Sequence, residues 1–238
     1  MMQFVLQDVS TTATDAAVGG PITQSQLQQM AAAFGIQLNR DVAAEWGGNY
    51  SVRAGTSATD VAPGEIVCQI VDALPDAPGA VAYHSDDGED HPLVMLAKST
   101  CDGILTGSQC VSAAMSHELC ETAFDRACNC WCDDGAGSEW AQEACDATES
   151  DSYEISGVTV SNFLLRNFFG VGAPAPWSYL GSLGNEPVPG PFQTAPGGYQ
   201  VKRVSASQET QVNGTIRAFR LEKARHVSSR TYRRGARV

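Results

Sequence analysis

At 238 residues and 43% hydrophobic content, the chain has the length for one large core or two small ones and the composition of a globular protein. Its net charge of −12 divides unevenly: residues 1–200 hold 5 Lys+Arg against 25 Asp+Glu, a balance of −20, and residues 201–238 hold 10 against 2, a balance of +8. A body this acidic argues against nucleic acid, whose phosphates require clustered Lys and Arg, and suits divalent cations; no run reaches the ~20 apolar residues of a membrane span.

The first eight residues, Met1 to Asp8, lack a positive n-region and carry only a short apolar stretch, so no signal peptide is expected. Residues 22–36 place Leu27, Met30, Ala31, Phe34 and Ile36 near helical spacing, with Thr23 or Ser25 to cap an amphipathic helix. Short apolar runs at Ile66–Ile70, Ala80–Tyr83 and Leu93–Ala97, bounded by Pro-Gly, Asp-Gly and Asp-His-Pro signals, predict the strands of a small sheet. From Gln109 to about Arg126, the apolar positions Val111, Ala114, Met115 and Leu119 predict a second helix, with Ser108 as its cap. Tyr153–Ile155 and Val158–Val160 flank Ser156-Gly157 as a hairpin would. Gly170 to Gly198 is rich in Gly and Pro and predicts an irregular wrap. The expected architecture is therefore an α+β domain over residues 1–200, followed by a basic, polar arm over 201–238. The arm's charge opposes that of the body, so its expected partner is a second copy or a neighbouring protein. Arg217, Arg220, Lys223 and Arg225 around Phe219 and Leu221 supply both charge and apolar anchors for it.

Eight cysteines stand at 68, 101, 110, 120, 128, 130, 132 and 145, seven of them between Cys101 and Cys145. An even, clustered set means disulfides or metal thiolates. There are no paired Cys-x-x-Cys knuckles, and Cys128-x-Cys130-x-Cys132 is too tight to give one tetrahedral ion three ligands, so at least two disulfides within 101–145 are expected. Disulfides require an oxidising destination, and a phage particle released by lysis reconciles that with the missing secretion signal; the bacterial cytoplasm is the alternative. The acidic loop at 133–139 offers carboxylates for calcium but lacks the spacing of an EF-hand, and solvated acids are the simpler reading.

The chemistry concentrates in Ser116-His117-Glu118-Leu119-Cys120-Glu121. Residues four apart share one face of a helix, so His117 and Glu121 can hold one ion while Glu118 lies beside them. This is the geometry of His-Glu-x-x-His with a carboxylate in place of the second histidine, which weakens the ion as a Lewis acid. Zinc is the expected ion, held by His117, Glu121 and Glu143, the last at the downstream distance where gluzincins take a third ligand. Glu118 is the expected general base and Asp146 the carboxylate that orients His117. Asp125, eight residues after His117, is an alternative ligand or a surface carboxylate. His84, after a strand, is an extra ligand or substrate contact, or simply an edge residue. His91, before Pro92 in a run of acids, reads as solvated.

Taken with Asn129-x-Trp131, Glu143-x-x-Asp146, Tyr153-Glu154-Ile155, Val160-Ser161-Asn162-Phe163 and Gly197-Gly198-Tyr199, this motif resembles a family of small zincin-like metallopeptidase-like proteins encoded by tailed phages and bacteria. The similarity runs from about Trp46 to Tyr199. Family members often read Thr-Asp-Pro where this chain has Ala123-Phe124-Asp125-Arg126, which removes a helix stop and leaves the role of Asp125 open. The resemblance implies a zincin-like fold and, for phage members, residence in the virion. Two functions follow as expectations: a zinc metallopeptidase, or a non-catalytic capsid-decoration, neck or tail component that retains the fold.

Overall fold

The structure, a computed structural model, describes residues 1–11, 18, 21–74, 77, 80–86, 92–204 and 208–214. Strand β1 (Met2–Asp8) leads into helix α1 (Gln24–Ile36). The Thr23 hydroxyl accepts from the Gln26 amide and the Gln26 side chain accepts from the Thr23 amide, a reciprocal cap of about 1 kcal/mol. The helix continues through a π-helical turn, Gln37–Val42, into α2 (Ala43–Trp46), ten residues beyond the predicted end. Strands β2 (Tyr50–Ala54), β3 (Glu65–Val71), β4 (Ala82–Asp86) and β5 (Pro92–Ala97) complete a sheet in the order β2-β1-β3-β5-β4. All neighbours in it are parallel except β4, the antiparallel edge strand.

Alternation along these strands builds the core. Phe4 and Leu6 of β1, Ile66 and Ile70 of β3, and Val94 and Leu96 of β5 meet Met30 and Phe34 of α1 in one apolar cluster. Helix α3 (Val111–Phe124) closes the same cluster with Val111, Met115 and Leu119. Each such side chain contributes about 1.5–3 kcal/mol by burial. The Ser116 hydroxyl accepts from the Ser161 amide at 2.7 Å, which pins α3 beside the hairpin β8 (Ser152–Ile155) and β9 (Val158–Ser161). That hairpin turns at Ser156 and Gly157, φ 52° and 78°, as the sequence predicts. The predicted cap Ser108 instead donates to Asp102; Cys110 holds the cap position of α3 without a side-chain hydrogen bond.

A second sheet forms from β6 (Trp131–Asp133), β7 (Glu139–Ala141), β10 (Tyr199–Arg203) and β11 (Glu209–Asn213), in the order β11-β10-β7-β6. Between β9 and β10 the chain is mostly irregular, with one short helix, α4 (Tyr179–Ser182), and a small core of Leu164, Phe168, Val188 and Ala195. The boundary expected at 201 falls inside β10: Val201 is buried and Lys202 pairs with Trp140 of β7. Ladder hydrogen bonds, rather than apolar content, hold the first part of the basic segment to the body. His91 and the arm's Arg217, Arg220, Lys223 and Arg225 lie outside the described residues. The architecture is thus mixed α and β, and among the described residues no helix is long and apolar enough to cross a membrane.

Candidate metal centre

Three segments converge on α3. The helix presents His117, Glu118 and Glu121, all buried. The segment Glu143–Glu149 returns alongside it, held where the Cys145 amide donates to Glu121 Oε1 at 3.2 Å and the Ala144 carbonyl accepts from the Leu164 amide. A 3₁₀ turn at Asp146–Thr148 aims Asp146 and Glu149 at the helix. From the opposite side, β4 delivers His84, 1% exposed. Gly198 permits the last approach: a Cβ there would collide with the Ala147 carbonyl, so only glycine lets β10 begin against this turn and bring Tyr199 to the site.

His117 Nε2 lies 3.2 Å from Glu121 Oε1 and 3.3 Å from Asp146 Oδ1, while its Nδ1 faces Glu149 Oε2 at 3.4 Å. His84 Nδ1 lies 3.1 Å from Glu118 Oε2 and 3.5 Å from Glu121 Oε2. The donors form three overlapping groups able to grip an ion: His117, Glu118 and Glu121; His117, Asp146 and Glu149; and His84, Glu121 and Glu143. A cavity of about 40 Å³, room for a water molecule or two, opens beside them and is lined by His117, Glu118, Glu149 and Tyr199.

The electrostatics are those of a site with too many acids for its cations. Burial is the largest influence on His117 and would lower its pKa, but Glu121, Glu149 and Asp146 outweigh it and hold the imidazole well above the usual histidine range. His84 is likewise depressed by burial and raised further by Cys128, Glu118 and Glu121, to the same net result. Burial lifts Asp146 well above the carboxylate range, reinforced by the charge of Glu121, and lifts Glu118 against the opposing hydrogen bond from His84. Glu121 moves the other way, because the two imidazoles overcome its burial and keep it ionised. Uncompensated charge in a low-dielectric interior is costly unless protons or a cation neutralise it.

A divalent ion fits this donor set. Within each group the ligand atoms lie within 4.8 Å of one another, close enough to face one ion. Imidazole mixed with carboxylate suits zinc, whereas oxygen donors alone would suit magnesium or calcium.

The expected residues are redistributed. His117 and Glu121 stand together; Asp146, expected only to orient His117, shares its Nε2, and Glu149 takes the orienting position at Nδ1. Glu143 groups with His84, on the other side of Glu121. Asp125 is in none of the three groups; it accepts the Cys130 amide at 2.7 Å and shapes the turn leaving α3. Glu149 lies outside the expected set, although Glu143, Asp146 and Glu149 recur at three-residue steps; Tyr199 is signalled only by the Gly197-Gly198-Tyr199 match.

The expected cross-links are absent: all eight cysteines are free thiols. Cys120 of α3 meets Cys145 closely enough for their thiols to hydrogen-bond, without a bond between the sulfurs, while Cys130 and Cys132 belong to the turn and strand beyond the helix. In the acidic loop, Asp133 and Asp134 accept the amides of Gly135, Ala136 and Ser138 and the Trp140 indole N–H, so they cap a turn rather than converge on calcium. Comparison with family models, curated proteins and solved structures finds no match to this chain, so its function is argued from its own residues.

Proposed function

We propose that the protein is a zincin-like, zinc-dependent hydrolase of peptide bonds, with the ion held at His117, whose neighbouring carboxylates form two of the ligand groups. The observation that carries this reading is the convergence of two buried carboxylates from separate segments on one nitrogen of His117, at 3.2 and 3.3 Å. The antiparallel edge strand β4 beside the metal helix supports the zincin-like fold that the resemblance implies. When bound, the ion supplies Lewis acidity toward a carbonyl and toward water.

The chain's own residues do the rest. Glu149 at Nδ1 fixes the His117 ring so that Nε2 faces the carboxylates. Glu118 lines the cavity, and its burial brings its carboxyl closer to neutrality, the range in which a base can take a proton from water and return it to a leaving amine. Tyr199, on the same wall, donates its hydroxyl to Asp146 and steadies that carboxylate beside His117. A second reading, a structural virion component that keeps the ion without catalysis, is supported by Glu121, since an anionic ligand in place of a second histidine blunts the ion's acidity.

The test is zinc content and hydrolysis of an unfolded protein substrate by the full chain and by Glu118→Gln. The variant is expected to keep its zinc and lose activity by about 10²–10⁴-fold. Zinc with no activity in either protein selects the structural reading, and no zinc in freshly purified protein overturns both.

A further inference from the structure

His84 and Glu143 are not needed for the His117 site, yet they group with one of its ligands, Glu121. Glu121 turns its two oxygens to different partners: Oε1 to His117 and the Cys145 amide, Oε2 to His84. Ligand atoms of His84, Glu121 and Glu143 all fall within 4.8 Å of one another, and all three residues are buried. Cys128 lies beside this group, its thiol donating to the His84 carbonyl at 3.8 Å.

The surroundings give these acids few fixed cations. Of the five basic residues in 1–200, Arg40 pairs with Asp41, Arg53 with Asp60 and Glu65, and Arg166 reaches the Glu45 carbonyl. Lys98 reaches Ser10, and Arg126 is exposed. One divalent ion at His117 leaves the Glu143 side of the cluster still dominated by carboxylates.

Building on the metal reading above, we propose that Glu121 bridges two divalent ions, the second held by His84, Glu121 and Glu143. Imidazole mixed with carboxylate suits zinc, and a carboxylate shared between ions is how two-metal centres keep them a few ångströms apart. The second ion then organises the edge strand β4 and the segment bearing Glu143 around the first.

Cobalt titration of metal-free full-length protein tests this, read by stoichiometry and by the visible absorption of bound cobalt. Two ions per chain are expected. Glu143→Gln should bind its second ion at least tenfold more weakly; His84→Ala should bind one ion, and Glu121→Gln should weaken both. Glu143→Gln is nearly isosteric, so its titration decides the question even where His84→Ala fails to fold. A single ion lost in His117→Ala and retained in His84→Ala overturns the second site while leaving the first, and two ions bound with unchanged affinity by Glu143→Gln overturn it as well. No cobalt bound at all sinks the metal reading itself.

Discussion

Two charged regions of the molecule have similar ion-pair distances and opposite electrostatic character. On β2 and β3, Arg53 lies 2.6 Å from Glu65 and 3.0 Å from Asp60, and the permanent guanidinium charge pulls Asp60 down to about 2 and lowers Glu65 as well. Around α3 the contacts run from 3.1 to 3.5 Å, but the cations are two titratable imidazoles, and burial lifts Glu118 and Asp146 instead. The first region is complete within the protein. The second holds buried carboxylates against imidazoles alone, and this difference, rather than any single distance, marks it as the candidate site.

The largest expected effect breaks the symmetry directly. Zinc at about 100 times its dissociation constant should stabilise the fold by about 2.7 kcal/mol, a rise in melting temperature on the order of 5–10 °C for a chain of this size. A melting temperature that does not move with zinc would place the α3 cluster in the same class as the Arg53 network. Next in size, Glu121→Gln keeps the side-chain volume but removes the shared charge, so thermal unfolding with and without zinc should show most of that rise gone. Arg53→Met comes third. Arg53 is 37% exposed, so denaturant unfolding should register a loss of about 1 kcal/mol or less, identical with and without zinc.

The smallest effect is a pH dependence. Asp60 and Glu65 have folded pKa values below their unfolded ones, so their contribution is present above the unfolded carboxylate range and disappears as pH falls toward about 2. Comparing acid unfolding of the wild type with Arg53→Met should show the curves converging at low pH; a constant offset would mean that Arg53 acts through packing alone.

Much of this site was legible along the chain, and for a local reason. A helix repeats every 3.6 residues, so His117, Glu118 and Glu121 announce a shared face wherever α3 ends up, and the apolar positions Val111, Met115 and Leu119 announce the face that binds the core. The hairpin at Ser156-Gly157 and the strands around residues 66–70 and 93–97 were readable for the same reason, being governed by turn chemistry and alternation over a few residues.

The remainder depended on contacts between distant segments. Which acid meets which nitrogen of His117 is decided by how Glu143–Glu149 is clamped through the Cys145 amide and the Ala144 carbonyl, so Asp146 meets Nε2, Glu149 meets Nδ1 and Glu143 falls to the His84 group. His84 became part of the cluster only because β4 is the edge strand next to α3. Cys120 and Cys145, distant in sequence, came side by side as thiols, and β10 carried the first basic residues of the tail into a sheet. The sequence by itself determined which groups could bind a cation, because local spacing sets which side chains share a face. Their pairing and their charge balance were left to the tertiary structure, because burial and long-range hydrogen bonds have no periodic signature along the chain.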